Sequence, residues 1–476
     1  MTRSILKPDL CVIGGGSGGL TVAAAARAFD ASVVLIEANE MGGDCLNTGC
    51  VPSKALIAAA KAAHAGEEAK KYGVNYAVPK IDFAKVHEHV HGVIANIAPH
   101  DSVERFEGLG ATVIKARARF TDEKTVVAGD TTIQARRFVV ATGSRAAVPP
   151  IPGLDKVPFL TNESVFDLTN LPEHLIIIGG GPIGMELAQA FQRLGAKVTV
   201  IEMFDPLGKD DPELTAIALE RIKGEGVEML GGTGVKSVSG KADAITVTTE
   251  KDGKAKKISG THLLVATGRA PNVEDMGLEV AGVKFDKRSI SVGVDLRTTN
   301  RRVYAIGDVA GGLQFTHVAG YHGGLVVRSA LFGLPARENR NIIPWATYTD
   351  PEIANVGLSE AAARERHGDD VKVIRWTFAE NDRARATRET DGLVKLITLK
   401  NGKIIGCGIV GAHAGELIAL FAFAIANGLK VGSLSKFVAP YPTLSELARR
   451  VGVAWYADKI DNPWIGRWLS LIRLLP

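Results

Sequence analysis

A pattern of strand, glycine turn, helix and strand occurs twice in this sequence and restricts its fold more than any other feature. The pattern spans residues 10–37 and returns at residues 174–202. Each copy contains Gly-x-Gly-x-x-Gly and ends at a glutamate, and all four positions recur after 165 residues: Gly14, Gly16, Gly19 and Glu37, then Gly179, Gly181, Gly184 and Glu202. One such motif is weak evidence, but two in full context are strong. The sequence therefore predicts an α/β fold with two Rossmann-like dinucleotide-binding domains.

The chemistry of this unit suits a dinucleotide. Its glycines allow backbone N–H groups to approach a pyrophosphate, and the helix N-terminus adds partial positive charge. The closing glutamate can accept hydrogen bonds from a ribose. Each unit later ends in a strand that runs into Ala-Thr-Gly, at Gly143 and at Gly268. Two units imply two bound dinucleotides, and hence hydride transfer between a flavin nucleotide and a nicotinamide.

Glu202 bears on the choice of nicotinamide. A carboxylate at this position suits a free 2′-hydroxyl and repels a 2′-phosphate. The next six residues, Met-Phe-Asp-Pro-Leu-Gly, contain no Arg or Lys that would bind such a phosphate. We therefore expect NADH rather than NADPH.

Two of the four cysteines, Cys45 and Cys50, follow the first unit closely. Zinc would need more ligands, and no second Cys pair supplies them; His87, His89 and His91 are expected to fan around a polar helix. We expect the chain in the cytoplasm, because no basic leader or uninterrupted apolar span is evident. A structural disulfide is rare in that compartment. The pair is therefore interpreted as a redox-active disulfide, and no metal site is predicted.

Residues 42–54, Gly-Gly-Asp-Cys-Leu-Asn-Thr-Gly-Cys-Val-Pro-Ser-Lys, closely resemble the redox-active disulfide motif of the class I pyridine nucleotide–disulfide oxidoreductases. This family includes dihydrolipoamide dehydrogenase, glutathione reductase and mercuric reductase. The resemblance covers nearly the whole chain. It includes both glycine fingerprints, both Ala-Thr-Gly stretches, Val-Tyr-Ala-Ile-Gly-Asp at residues 303–308, residues 348–360, and Pro-Thr-Leu-Ser-Glu at residues 442–446.

The resemblance implies a role for each motif. Cys50 is expected to be the charge-transfer cysteine beside a flavin, and Cys45 the interchange thiol that meets the substrate. Lys54, near the flavin N5, is expected to pair with Glu186; a cation there stabilises reduced flavin and lowers a thiolate pKa. The residues assigned to FAD are Gly14, Gly16, Gly19, Glu37, Gly43, Lys54, Gly143 and Asp308, and those assigned to NAD(P) are Gly179, Gly181, Gly184, Glu202 and Gly268.

The resemblance also implies the order of the domains. Residues 1–145 are expected to form the FAD domain, residues 146–272 the NAD(P) domain, and residues 273–342 a central segment that completes the FAD domain. Residues 343–476 are expected to form an α+β dimerisation domain that completes the active site of the partner subunit. Within it we predict a hairpin at Asn401–Gly402 and a buried helix in residues 415–429 with a glycine stop.

The motif near the C-terminus departs from the family pattern. Disulfide-reducing relatives have His-Pro-Thr-x-x-Glu, in which the Glu orients a His that exchanges protons with substrate thiols. Here the motif begins at Tyr441 and ends at Glu446. A phenol has a pKa of about 10, so about one part in a thousand is ionised at pH 7 and Tyr441 is a poor general base. His413 is a candidate replacement.

Mercuric reductases also carry Tyr at this position. They use a C-terminal Cys pair to deliver the metal, however, and this chain has no cysteine after Cys407. Three acceptors stay open for the predicted homodimer: a small-molecule or protein disulfide, as for dihydrolipoamide dehydrogenase; a metal ion; and a quinone or a protein. A nucleotide-bound scaffold without catalysis is a further alternative, although the retained cysteines and Lys54 argue against it. Nucleic acid is not expected to bind, because the net charge is only +4 and basic residues are scattered.

The C-terminal tail, residues 462–476, is the second departure. Gly466, Arg467, Ser470 and Arg473 recur every three or four residues among apolar side chains. This spacing predicts a short amphipathic helix, which either packs on the protein body or lies on a membrane surface.

Overall fold

The computed structural model describes residues 4–457 and 463–475. The described residues form two compact units. The first comprises the chain up to Met203 together with Met229–Glu338, and the second comprises Phe204–Glu228 together with the chain from Asn339 onwards. The outermost residues of the predicted first and last domains, and position 462 of the predicted tail, lie outside the described residues. The three predicted boundaries between these segments stay a prediction.

The elements are labelled in chain order. The strands are β1 (Ser4–Leu6), β2 (Leu10–Ile13), β3 (Val33–Glu37), β4 (Thr112–Lys115), β5 (Ala118–Asp122), β6 (Thr125–Ala128), β7 (Thr131–Ile133), β8 (Arg137–Val140), β9 (Ser144–Ala146), β10 (His174–Ile178), β11 (Lys197–Ile201), β12 (Glu228–Leu230), β13 (Gly234–Lys241), β14 (Ala244–Lys251), β15 (Lys254–Gly260), β16 (His262–Val265), β17 (Arg269–Pro271), β18 (Val303–Ala305), β19 (Pro344–Thr347), β20 (Glu352–Gly357), β21 (Val371–Thr377), β22 (Leu393–Leu399) and β23 (Ile404–Gly411). The helices are α1 (Ser17–Arg27), α2 (Gly43–Asn47), α3 (Cys50–Ala69), α4 (Phe83–Ile97), α5 (Val103–Gly108), α6 (Pro182–Arg193), α7 (Pro212–Gly224), α8 (Thr316–Ala330), α9 (Glu360–His367), α10 (Asp382–Ala386), α11 (Ala414–Ala426), α12 (Val431–Lys436), α13 (Glu446–Ala454) and α14 (Pro463–Ile472).

The first glycine fingerprint lies in a parallel sheet with the strand order β18–β8–β2–β3–β4. Every residue of β2 and β3 is buried, as is typical of parallel strands that are covered on both faces. The alanine-rich helix α1 connects these strands and packs against α8. The first fingerprint and Glu37 therefore lie together at the carboxyl edge of the sheet, where such folds bind their ligands.

The second fingerprint is built in the same way. Strand β10, helix α6 and strand β11 repeat the first unit and belong to a sheet with the order β12–β11–β10–β16. An antiparallel sheet of β13, β14 and β15 accompanies it, and β9 pairs with β17. The two predicted Rossmann-like domains are thereby confirmed.

The second unit contains an antiparallel sheet with the order β19–β20–β23–β22–β21. The predicted hairpin is confirmed, because Asn401 and Gly402 connect β22 to β23 and Gly402 has φ +82°. Helix α11 confirms the predicted helix, which stops before Gly428 at φ +62°. Its inner face is buried, but Phe423 on its outer face is 62% exposed.

A network of ion pairs holds α7 within the second unit. Lys395, nearly buried, bonds Asp211 at 2.7 Å and Glu360 at 2.9 Å and also contacts Glu213. Arg375 bonds Glu213 at 2.7 Å. The pKa of Glu213 is lowered to about 2, chiefly because Arg375 donates hydrogen bonds to its carboxylate.

Within residues 4–457 and 463–475, every helix is too short or too polar to cross a bilayer.

Candidate active site

Both fingerprints form turns that only glycine can occupy. At Gly14 and Gly179, φ is +113°, and a Cβ would lie 2.3 Å or 2.4 Å from the carbonyl oxygen that follows the neighbouring strand. A Cβ on Gly19 or Gly184 would lie 1.9 Å or 2.0 Å from the carbonyl oxygen of the first glycine. These contacts are with backbone atoms, which cannot move aside. The repeat seen in the sequence is therefore also a repeat of local geometry.

The middle glycine of each fingerprint leaves space for a phosphate. Gly16 and Gly181 are the N-cap residues of α1 and α6, and no side chain caps either helix. A Cβ on Gly181 would meet no atom within 4 Å, and one on Gly16 would meet only a Cα at 3.8 Å. Uncapped helix N-termini with open space before them fit the pyrophosphates of FAD and of a nicotinamide dinucleotide.

The two closing glutamates make equivalent contacts. Glu37 Oε2 accepts a hydrogen bond from Gly15 N at 2.5 Å, and Glu202 Oε2 accepts one from Gly180 N at 2.6 Å. Each carboxylate thus lies beside its own glycine turn, where the ribose of a dinucleotide would be held. Gly143 and Gly268, which end the two units, have φ of +68° and +143°.

The cysteine segment is tied to the first glycine turn. Gly42 N donates to Gly15 O at 2.9 Å, and a Cβ on Gly43 would lie 2.8 Å from Gly16 Cα. Gly43 must therefore lack a side chain so that the two loops can meet. This contact places the start of α2, and with it Cys45, next to the predicted FAD cradle.

The two predicted redox cysteines lie together as free thiols. Cys45 is on the short helix α2, and Cys50 is the first residue of the long helix α3. Cys45 donates a hydrogen bond to Cys50, and Thr316, the first residue of α8, lies 3.5 Å from Cys50 Sγ. Cys50 is the more exposed of the pair.

The two thiols have opposite acidities. The pKa of Cys50 is lowered to about 6, chiefly because Cys45 donates a hydrogen bond to it; Thr316 and Lys54 lower it further, whereas burial and Asp44 oppose the shift. The position of Cys50 at a helix N-terminus also favours a thiolate. The pKa of Cys45 is raised, because it is the donor in that hydrogen bond and because it is partly buried. At neutral pH the pair therefore consists of a Cys50 thiolate and a Cys45 thiol.

The predicted ion pair is present in the structure. Lys54 Nζ, one helical turn after Cys50, lies 2.6 Å from Glu186 Oε2 on α6. The Glu186 side chain is only 7% exposed, whereas that of Lys54 is 35% exposed. A buried carboxylate thus holds the ammonium near the thiolate.

Asp308 belongs to a second polar cluster, one that includes residues that sequence reasoning missed. Ser144 Oγ donates to Asp308, and Arg269 lies 3.5 Å from Asp308 and 3.1 Å from Asp44. Burial raises the pKa of Asp308. Because Asp44 directly precedes Cys45, the Arg269 guanidinium connects the predicted flavin-contact carboxylate to the cysteine segment.

A buried histidine supports the turn before Asp308. His322, on α8, is 1% exposed; its Nδ1 accepts a hydrogen bond from Gly307 N at 3.2 Å, and its Nε2 lies 3.1 Å from Glu338. Thr316 and His322 both lie on α8, which follows the Ile-Gly-Asp motif, and sequence reasoning missed them. Nothing in their own spacing marked them.

The remaining predicted residues lie in the second unit. Tyr441 is 70% exposed and its hydroxyl donates to Asp382 at 3.2 Å, which raises the pKa of Tyr441. Glu446 begins α13 and lies 3.7 Å from Arg450. His413 is exposed and is the N-cap residue of α11, with φ +57°. The tyrosine is therefore a hydrogen-bond donor at neutral pH, as its chemistry predicts.

The other histidines and cysteines behave differently from the redox pair. The ring centres of His87 and His91 lie 4.2 Å apart on α4, with the ring planes tilted by 41°. Among the described residues, no group of three His, Cys, Asp or Glu side chains is placed to hold a metal ion. Cys11 and Cys407 are buried in strands, which raises the pKa of both thiols.

Comparison with known proteins identifies the family. The family model of the pyridine nucleotide-disulphide oxidoreductases matches residues 8–323, and the model of their dimerisation domain matches residues 343–451. The chain belongs to this family. Its membership confirms the predicted oxidoreductase class and the use of FAD and a pyridine nucleotide.

Relatives of two kinds resemble this oxidoreductase equally well. A mercuric reductase from Bacillus cereus is 37% identical over 92% of this chain and 70% of its own length. A dihydrolipoyl dehydrogenase from Geobacillus stearothermophilus is 35% identical over 93% of this chain and 95% of its own length. Among solved structures, the Cu(II) complex of the HOCl-induced flavoprotein disulfide reductase RclA from Escherichia coli matches this chain with a TM-score of 0.82. The two are 27% identical, over 93% of this chain and 98% of RclA.

Proposed function

We propose that this oxidoreductase is an NADH-dependent flavoprotein that passes electrons through the Cys45–Cys50 disulfide to a disulfide substrate. FAD, when bound, supplies the two-electron carrier that accepts hydride from NADH and reduces a disulfide. The carrying observation is the placement of Cys45, Thr316 and Lys54 around Cys50, which lowers the pKa of Cys50 to about 6. Two copies are inferred to pair through the dimerisation domain, residues 343–451.

The residues at the second fingerprint support NADH. Glu202 is held at the glycine turn by its bond from Gly180 N. A carboxylate so placed can accept from both hydroxyls of an adenosine ribose and would repel a 2′-phosphate. We therefore expect the value of kcat/KM to be higher for NADH than for NADPH, and Glu202→Ala to reduce that preference.

The reduced pair can reduce a substrate disulfide with balanced atoms and charges. Cys45 loses its proton and attacks one substrate sulfur, which breaks the substrate S–S bond and releases a thiolate. Cys50 then attacks Cys45 Sγ, which releases the second substrate sulfur and restores the Cys45–Cys50 disulfide. Two electrons pass to the substrate, and its two thiols take one proton from Cys45 and one from solvent.

Proton transfer affects both directions of this exchange. In the forward direction, Cys45, whose pKa is raised, must lose its proton before it attacks, and Tyr441 can donate a hydrogen bond to the substrate thiolate that is released. In the reverse direction, a base must remove protons from a substrate dithiol, and the raised pKa of Tyr441 makes it unsuited to that task. We therefore propose that the enzyme acts as a disulfide reductase in which proton transfer is slow in both directions, because one acid or base group would serve both.

A metal ion is a second candidate acceptor. It is favoured by Tyr441 in place of the usual histidine, and by relatives that are mercuric reductases. The Cys50 thiolate is a soft ligand of the kind that binds such ions. The C-terminal Cys pair that mercuric reductases use is not among residues 408–476, so this candidate rests on the Cys45–Cys50 pair alone.

The deciding experiment measures NADH oxidation by the FAD-loaded enzyme with lipoamide, Hg(II) or Cu(II), and the reverse oxidation of dihydrolipoamide. We expect measurable but slow turnover with lipoamide and with dihydrolipoamide. Tyr441→His should raise both rates roughly 10²-fold, the usual contribution of a general acid and base. His413→Ala tests the other candidate base. Loss of the reverse rate in this variant would identify His413 as the base. Turnover with a metal ion but not with lipoamide would replace the disulfide proposal by the metal one.

A further inference from the structure

The C-terminal helix α14 and the turn after it expose an apolar face. None of the residues of α14 is buried. At 100° per residue, the apolar side chains of residues 464–475 fall mainly on one side of the helix. The exposed fractions are 73% for Trp464, 62% for Trp468, 58% for Leu471 and 65% for Leu475. The predicted amphipathic helix is confirmed, and its apolar face is open to solvent instead of buried in the chain's own core.

The polar side of the same helix is purely basic. Arg467 and Arg473 are the only charged residues in the sequence from 463 to 476, and Gly466 and Ser470 lie between them on the helix surface. The Arg467 guanidinium lies 5.2 Å from the centre of the Trp464 ring, so a cation stands at the border of the apolar face. This arrangement complements a surface that is apolar inside and anionic at its rim.

We propose that residues 463–475 bind the surface of an anionic lipid bilayer. The tryptophan face would enter the boundary between headgroups and acyl chains, where indole rings are favoured. The two arginines would then lie level with lipid phosphates. A helix of ten residues is about 15 Å long, half the thickness of the hydrocarbon core, so it lies in the surface instead of spanning it.

This inference concerns where the enzyme works and does not depend on the electron acceptor. The competing occupant of the apolar face is a second copy of the chain. A contact between copies would bury the tryptophans equally well, but it gives the two arginines no anionic partner within the tail. The two occupants therefore differ in their dependence on lipid charge, which the experiment measures.

The experiment is co-sedimentation of the full-length, FAD-loaded enzyme with lipid vesicles. One set is phosphatidylcholine alone, and the other contains phosphatidylcholine mixed with phosphatidylglycerol. Each arginine near an anionic surface strengthens binding about fivefold, so we expect about 25-fold tighter binding to the mixed vesicles at low salt. Added salt should reduce this difference, because it screens the surface charge. Acyl chains carrying bromine should quench the tryptophan emission of the bound enzyme.

Two double variants separate the contributions of the two faces. Trp464→Ala/Trp468→Ala should abolish vesicle binding, and its remaining tryptophan emission should not be quenched. Arg467→Gln/Arg473→Gln should bind both kinds of vesicle equally weakly. Matched controls replace exposed aromatic residues and exposed arginines elsewhere, Tyr72→Ala/Tyr76→Ala and Arg301→Gln/Arg302→Gln, and should bind as the original protein does. Flavin reduction by NADH should be unchanged in all four.

The proposal is wrong if the full-length enzyme sediments with neither kind of vesicle. It is also wrong if binding is the same on both vesicle types and is insensitive to the arginine substitutions. A fall in particle mass on Trp464→Ala/Trp468→Ala, without any vesicle binding by the original protein, would assign the helix to a contact between subunits. Since vesicle binding is measured without turnover, these outcomes are independent of the proposed disulfide reductase activity.

Discussion

The acidity of Cys50 provides a direct test of the redox pair, because its main cause is a single hydrogen bond. Cys45 is the donor, and its contribution to the lowered pKa of Cys50 exceeds those of Thr316 and Lys54. Cys45→Ala removes the donor. Cys45→Ser is the matched variant, because it keeps a hydroxyl donor in the same place.

The expected shift follows from the strength of such a bond. A hydrogen bond to a charged group contributes about 1.5–3 kcal/mol, and one pKa unit corresponds to about 1.4 kcal/mol. Because Cys50 is exposed to solvent, which weakens the interaction, we take the lower end of this range. Cys45→Ala should therefore raise the pKa of Cys50 from about 6 to about 7, whereas Cys45→Ser should leave it near 6.

The assay is the rate of alkylation by iodoacetamide as a function of pH. Both variants leave Cys50 as the one accessible thiol, since Cys11 and Cys407 are 0% and 2% exposed. The pH at half-maximal rate reports the pKa of Cys50, because only the thiolate reacts. A half-maximum that stays near 6 in Cys45→Ala would refute the hydrogen-bond explanation. The helix N-terminus and Lys54 would then be the main cause. A half-maximum near 8.5 in both variants would show that Cys50 has no lowered pKa at all.

Three further perturbations test other parts of the structure. Gly181→Ala should leave thermal stability unchanged but weaken NADH binding about tenfold, because its methyl group enters the phosphate space. Gly184→Ala should instead destabilise the fold, because its Cβ would meet the backbone. Calorimetry measures the stability of both variants, and titration with NADH measures their affinity. Lys54→Met takes the ion partner from Glu186 and should lower the free energy of unfolding by about 2 kcal/mol, measured in urea. Glu213→Gln should lower the free energy of unfolding by at most about 1 kcal/mol. Because the pKa of Glu213 is lowered, the stabilisation by its carboxylate is present above pH 4.5 and is lost as the pH falls through about 2.

Each of these expectations has a clear contrary result. Equal NADH affinity in Gly181→Ala and the original protein would show that the NADH pyrophosphate does not occupy the space beside Gly181. An unchanged urea midpoint in Lys54→Met would show that the 2.6 Å ion pair contributes nothing to stability. If the stability difference caused by Glu213→Gln grew as the pH fell from 4.5 to 2, the sign of the assigned pKa shift would be wrong.

Much of the nucleotide machinery could be predicted from local sequence, because its physical requirements are local. Gly19 and Gly184 must lack side chains since the backbone of their own turn is about 2 Å from where a Cβ would be. Such requirements appear in the sequence as glycines at fixed spacing. The hairpin at Asn401–Gly402 was predictable for the same reason, since its left-handed glycine is a local demand.

The electrostatics around the cysteines could be predicted only in part. Lys54 and Glu186 were paired from the family resemblance, and the structure shows their 2.6 Å contact. Thr316 and Arg269 were missed, because they lie more than two hundred residues away from Cys50 along the chain and no local pattern marks them. Contacts between distant segments depend on how the helices pack, which periodicity does not encode.

The sequence by itself determined the two dinucleotide units, the identity of the cysteine pair and the loss of a histidine at Tyr441, since each of these is a matter of residue type at a fixed spacing. The family resemblance already assigned Cys50 as the charge-transfer cysteine. The tertiary structure supplied the physical cause of its acidity, because the pKa of Cys50 depends on a donor, a hydroxyl and a cation brought together from three segments. It also decided that the apolar face of α14 is exposed to solvent, since burial is a property of the folded chain and not of the amphipathic pattern.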